Sequence, residues 1–536
     1  MAVDQIFLNG TIVTMDPKAP EATAFGIMGD RFWAVGSDNE VRKWAEDRTK
    51  VVDLRGKTVI PGFIESHNHL SSYAMTLLQA DCRTPPNRGI EEVKTRIKEM
   101  ADATEPGHWV RGWGYDDTLI AEKRHLTWAD LDEVAPQNPV FISHVSGHLA
   151  YVNSMALEMA GVGPETPQPA GGEIHKDDKG MPTGLFLEAS AQTLISQHIP
   201  PYSLAQLNDV FQKAITHYHQ AGITSIHDAA IGIRDGAGVL RAYRELEAGG
   251  NLRLRVYMTI IEELYRDILE LGLGTGFGSE YLKIGCVKLF QDGSIQGLTG
   301  ALKEPYHNKP GFRGDLILPQ ETLDELVEQY HGAGMQIAIH ANGDRAIESV
   351  LQAIEKAQER HPRGDHRHMI IHCQLASQDH RQRMRRLGVV PSYFVNHVYY
   401  WGDRHVSLFL GPERAKRIDP LGSSMEEGLI FTLHSDLPVT PVDPLFSIHC
   451  AVNRITREGR VLGAEERIPP LKALKAYTTH AAYCSFEEDL KGSIEAGKLA
   501  DFMVLSDNPL TVSPEGIKDI QVEATVVGGH GVFGGT

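Results

Sequence analysis

Two histidines one residue apart, His67 and His69 in the run PGFIESHNH, have the type and spacing to hold a metal ion. In a strand, positions i and i+2 share a face, so both imidazoles can reach one ion at about 2.0–2.1 Å. Alone, such a pair is a weak signal. Further metal-competent groups stand at the ends of other β-type runs: Lys288 in VKLF, His340 in IAIHA, His372 in IIHC and Asp436 in LHSD. Each has an ordinary alternative. A histidine can be a hydrogen-bonded packing residue, Lys288 a side chain that snorkels from a strand end, and Asp436 a helix N-cap ahead of Leu-Pro. Five run ends carrying such residues together are hard to assign to packing.

Imidazole and carboxylate donors suit zinc or a similar borderline divalent ion. The set exceeds one tetrahedral site with an open position, which suggests two ions a few ångströms apart. A lysine amine cannot bridge two cations, but its CO2 adduct, a carbamate, is an anion that can, and metal binding favours such deprotonated ligands. The chemistry these groups support is hydrolysis by a metal-activated water. Asp436 is the candidate to take the proton of that water and pass it to a leaving nitrogen. A metal ion or a histidine, with His340 the candidate, would polarise the substrate carbonyl.

Such residues need a scaffold that gathers strand ends. The middle of the chain alternates β-type runs with helical stretches such as ETLDELVEQYHGAG and RAIESVLQAIEKAQER, which predicts a mostly parallel sheet. Eight strands are expected, over 58–69, 223–230, 252–260, 284–290, 335–341, 368–373, 389–394 and 429–436. Eight such units point to an α/β fold, a (β/α)8 TIM-like barrel, whose active site forms at the C-terminal strand ends. An open doubly wound sheet is the rival, but no GxGxxG-type loop supports it. Short β-rich runs at both chain ends predict one composite β-sandwich from 1–60 plus 490–536, with the barrel over 61–489. The long span between the first two strands predicts an inserted cap over 80–215 that shapes the substrate pocket.

On these motifs the chain resembles the amidohydrolase superfamily, in its amidohydrolase-3 (YtcJ-like) branch, which includes N-substituted formamide deformylases. The resemblance rests on PGFIESHNH, GCVKLFQDGS, IAIHANGDRA, IIHCQ, HSDLPV and the closing KGSIEAGKLADFMVL, and it runs the length of the chain. It implies metal ligands at His67, His69, Lys288 (as carbamate), His340, His372 and Asp436. It also implies cleavage of a C–N bond in an amide-type small molecule: an N-substituted formamide, N-acyl amine, lactam or cyclic imide. A deaminase is the alternative, although such enzymes typically use one metal and no lysine ligand; decarboxylase and isomerase members share the barrel. Two positions depart from the branch: Ile371 stands where a glutamate is common before the histidine, and His434 precedes Asp436 by two residues, its role open.

Three segments are candidates to line the pocket: RGWGYDD with Trp113, Tyr115 and Asp116; HVSGHLAYVNS with His144, His148 and Asn153; and YFVNHVYYWGDRH with His397, Tyr400, Trp401 and His405. Aromatics interleaved with polar groups suit an apolar or aromatic substrate, and Trp113, His148, His397 and Trp401 are the substrate-binding candidates. Asp228 reads as structural, Cys373 as a packing thiol, and Glu188 as either a pocket residue or a helix start. The net charge of −18 over 536 residues argues against a nucleic-acid partner. No run is long and apolar enough for a bilayer span. The five scattered cysteines and the absence of a basic, apolar leader predict a cytoplasmic protein. The expected partner is a small-molecule substrate, with a homo-oligomer open.

Overall fold

The structure is a computed structural model that describes residues 3–233 and 236–535. It divides into two compact units, 1–71 with 212–536, and 72–211.

The first unit contains an eight-stranded parallel sheet: β1 (Phe63–Asn68), β2 (Ile223–Ile231), β3 (Arg255–Ile261), β4 (Leu282–Phe290), β5 (Ile337–Ala341), β6 (Met369–His372), β7 (Val390–Tyr393) and β8 (Thr432–Leu433). Neighbours pair in chain order, as a (β/α)8 barrel requires. Runs such as IAIHA and MIIH are apolar on both faces, because helices cover one side and the barrel interior the other. Helices Gln320–Gly332 and Asp344–Arg360 flank β5 and form where the apolar residues recur at helical spacing. Side-chain hydrogen bonds bridge the seam between β8 and β1. Ser66 Oγ donates to the Leu433 carbonyl at 3.0 Å, and the Ser435 N–H donates to Glu65 Oε1 at 2.9 Å.

Two strand expectations need correction. The run over 58–69 is not one barrel strand. Thr58–Pro61 joins a six-stranded sheet of chain-terminal strands, and the barrel strand begins only at Phe63. Gly62 makes the transfer, for a Cβ there would overlap the Thr224 side chain of β2. The eighth strand, expected over 429–436, is only Thr432–Leu433, and the backbone beyond it turns left-handed at Asp436 (φ 57°).

The six-stranded sheet contains Thr11–Val13, Thr58–Pro61, Phe502–Leu505, Val522–Val527 and His530–Gly534, and a four-stranded sheet contains Gln5–Leu8, Ala24–Met28 and Arg31–Gly36. Phe7, Phe25, Phe32, Phe502 and Val526 from the two sheets share one core, with Phe7 and Phe25 stacked at 4.7 Å. The second unit carries its own six-stranded sheet, including Val110–Tyr115, Val140–His144 and Pro182–Leu187, over a core of Ile97, Val140, Ile142 and Tyr151.

Candidate metal centre

Strand register decides which residues meet. Phe290 pairs with His340, Ala341 with His372, His372 with Tyr393, and Tyr393 with Leu433. The C-terminal ends of β4 to β8 therefore lie side by side, and closure brings them to His67 and His69. The tightest donor group is His67, His69 and Asp436, whose ligand atoms all lie within 4.8 Å of one another. Asp436 Oδ1 sits 3.1 Å from His69 Nε2 and 3.6 Å from His67 Nε2. The His372 ring adjoins this group, 5.5 Å from His67 and 4.5 Å from His340.

Backbone detail sets these directions. Met369 and Ile371 pack inside the barrel, so strict alternation would turn His372 away. Left-handed backbone at His372 (φ 69°) and Cys373 (φ 49°) breaks that alternation. Non-glycine residues in this region cost energy and persist where surroundings enforce them, often at functional sites. Cys373 points to the helical layer, its sulfur 3.9 Å from Met384 Sδ.

The donor set fits a divalent cation, and three observations carry that fit. First, the His69 Nδ1 proton is committed to the Ala229 carbonyl at 2.9 Å. In the neutral ring, a bare Nε2 therefore faces a carboxylate oxygen, and two lone pairs at 3.1 Å call for a cation or a proton between them. Second, Lys288 Nζ, His340 Nδ1 and Asp436 Oδ1 are buried with no hydrogen-bond partner among the described residues. Buried polar atoms are rarely left so. Third, burial favours the ligand protonation state at most of these donors, His69 excepted. Burial pushes His67 and His372 well below the ordinary imidazole value, and His434 down to about 3. Burial likewise lowers the Lys288 ammonium to about 7. Burial works to raise Asp436, but the facing His69 ring, with His434 and Lys288, holds it below the ordinary carboxylate value.

Comparison with known proteins decides the lineage. The model of the Amidohydrolase family matches residues 50–533. The chain is 31% identical to YtcJ of Bacillus subtilis (strain 168), over 98% of this chain and 99% of that one. It is also 31% identical to the N-substituted formamide deformylase of Arthrobacter pascens, over 98% of this chain and 97% of that one. The chain belongs to the amidohydrolase family. A solved structure, an uncharacterized metal-dependent hydrolase from Pyrococcus horikoshii OT3, superposes with a TM-score of 0.80 at 27% identity, covering 95% of this chain and 99% of that one. The barrel is thus shared with the family's solved relatives, of which this one is itself a metal-dependent hydrolase.

Within this amidohydrolase the structure gathers His67, His69, His340, His372, Asp436 and Lys288 at one barrel mouth. The Lys288 ammonium lies 4.9 Å from the centre of the Phe290 ring. His397 and Trp401 stand beside them: the His397 ring is 6.3 Å from His372 and 5.8 Å from Trp401. His405 is set deeper and shares a 3.1 Å contact with Gln374 Nε2. Trp113 and His148 belong to the 72–211 unit, where Arg83 stacks on Trp113 at 4.6 Å and His148 pairs with Glu188 at 2.9 Å. In the same unit Asp116, Asp117 and His144 form a second donor group of three. Asp228 accepts from the Ser71 N–H and from the Tyr243 hydroxyl, so it pins the backbone that follows His69.

Three residues beside the ligands, not singled out in the sequence, also shape the site. Phe394 stacks on His434 at 5.3 Å and touches both His397 and Trp401. Its place just past β7, where other strand ends carry ligands, was the available signal. Asp292 accepts from the N–H groups of Ala301, Asn342 and Gly343 and lies 3.4 Å from His340 Nδ1, an orienting position for a ligand imidazole. Glu65 is buried and raised by that burial to about 8; it ties β1 to Ser435.

Proposed function

We propose that this amidohydrolase cleaves the C–N bond of an amide-type small molecule, an N-substituted formamide or N-acyl amine before a cyclic amide. The carrying observation is the convergence of His67, His69, His340, His372 and Asp436 with a buried, unpartnered Lys288. The likeness to the Arthrobacter pascens deformylase supports the formamide class. His67, His69, His340, His372 and Asp436 would hold one or two divalent ions, with zinc the natural guest of such donors. A bound cation of this kind supplies Lewis acidity and water activated near neutral pH.

The chain's own groups supply the rest. Lys288, with its ammonium lowered to about 7 by burial, holds a neutral amine near physiological pH. That amine can add CO2 with loss of one proton, and the resulting carbamate is an anionic ligand. Asp436 accepts the proton of the attacking water and returns it to the leaving nitrogen, so the amine departs neutral. Phe394, His397 and Trp401 form an aromatic wall beside His372, suited to an apolar substituent on nitrogen.

The test is metal analysis of the purified protein, then a screen of N-formyl, N-acyl and cyclic amides with chelator controls. Turnover of an N-formyl or N-acyl amine that stops on chelation and returns with zinc is expected. Full activity after stringent metal removal would overturn the reading.

A further inference from the structure

His434 stands two residues before Asp436, wholly buried, with its ring edge-on to His67 at 5.2 Å but outside the tight donor group itself. It forms one link in a chain of hydrogen bonds. Its Nδ1 lies 2.9 Å from Ser392 Oγ, and its Nε2 lies 3.2 Å from His372 Nδ1. Ser392 Oγ is 3.2 Å from Ser66 Oγ, and Ser66 Oγ donates to the Leu433 carbonyl at 3.0 Å.

The end of this chain fixes every proton in it. A carbonyl oxygen only accepts, so the Ser66 hydroxyl proton is committed to Leu433. Ser66 must then accept from Ser392, whose proton is thereby spent. Ser392 must accept from His434, which places the His434 proton on Nδ1 and leaves Nε2 bare. That bare nitrogen accepts from His372, so the His372 proton sits on Nδ1. The remaining nitrogen of His372, Nε2, carries the lone pair. No other assignment satisfies all four contacts with neutral rings.

We infer that Ser66, Ser392 and His434 are positioning residues, a relay running across the barrel seam that holds His372 as an Nε2 metal ligand. Phe394, stacked on His434 with an interplanar angle of 16°, keeps the ring from rotating. The relay supplies from a serine pair and a backbone carbonyl what a carboxylate or a single carbonyl supplies behind other ligand histidines. His69 shows the simpler form, with its own proton spent on the Ala229 carbonyl. The inference rests on the metal-site reading of His372, but its primary readout does not require metal.

The experiment is 15N NMR of histidine-labelled, metal-free protein, with His372 and His434 assigned by substitution. Both rings are expected as Nδ1–H tautomers, with bare Nε2. An Nε2–H tautomer at His372 in the unaltered protein would overturn the relay, whatever the enzyme hydrolyses. Zinc affinity, measured by chelator competition, tests the consequence. Ser392→Ala and His434→Leu should each weaken it by roughly 10- to 100-fold. The Ser392→Ala spectrum should show His372 in mixed tautomers. Unchanged affinity in both variants would also count against the relay. A protein that shows the expected tautomers but binds no zinc would instead sink the proposed function and leave the relay standing.

Discussion

Asp436 is the residue on which ligation and proton transfer meet. Its short approaches to His69 and His67 place it in the donor group, and the same carboxylate is the base of the proposed hydrolysis. Asp436→Asn keeps an oxygen donor but loses the basicity. A fall in kcat of about 10²- to 10⁴-fold with most of the metal retained is the expected outcome, read from steady-state kinetics alongside metal content. Near-normal turnover would remove the acid/base role. His69 makes a second prediction. Burial lowers this imidazole, but the facing Asp436 carboxylate outweighs it and leaves His69 raised above its ordinary value. A raised value means the proton is held as pH falls, and a metal must displace it. Zinc affinity by chelator competition should therefore be weaker at about pH 6 than at about pH 8. An affinity independent of pH across that range would contradict it.

At the scale of elements, a charged cluster joins the early residues of two barrel strands to a C-terminal segment. Glu487 pairs with Lys283 of β4 at 2.6 Å and with Lys491 at 2.7 Å, and Lys491 donates to Ser225 of β2 at 2.8 Å. Burial works to raise Glu487, but the charges of Lys491 and Lys283 win and lower it from 4.5 to about 2. A depressed carboxyl contributes stability that is present above its ordinary value and lost as pH falls toward the folded one. Acid unfolding should therefore steepen below about pH 4.5. Glu487→Gln leaves buried Lys491 without its counter-charge. It should cost about 3–5 kcal/mol near neutral pH and flatten that acid limb, as read from thermal melts against pH. A variant as stable as the parent at pH 7 would show that the cluster is balanced by desolvation. The strands themselves were largely legible, because a β-type run between helical periods keeps its pattern wherever it folds. The hinge at Gly62 was not, since what it avoids is Thr224, more than 160 residues along the chain.

For the whole molecule, the barrel and the chain-terminal sheets are joined by a buried bidentate pair. Arg255 Nε donates to Asp501 Oδ2 at 2.6 Å and a second guanidinium nitrogen to Oδ1 at 2.9 Å, while the Gly528 N–H also donates to Asp501. Both side chains are almost fully buried, so removing one partner strands a charge in a dry interface. Asp501→Asn should cost about 3–5 kcal/mol and lower the first thermal transition. A shift within error would mean the two parts hold together by apolar packing alone. Among the described residues no helix is long and apolar enough to cross a membrane.

The order of strands and helices, the family and the residues offered as ligands could all be read from the chain, because periodicity and strand-end chemistry are local properties that survive without coordinates. Which of those ligands lie within bonding reach of one another was decided by sheet register and barrel closure, contacts between residues hundreds of positions apart. The same holds for Ser66, Ser392 and Phe394. Each is an unremarked residue in sequence, and each acquires a role only when β1, β7 and β8 meet at the seam. The left-handed turn at His372 sharpens the point. Alternation along the strand would send that imidazole out of the barrel, and tertiary constraint on its backbone turns it in.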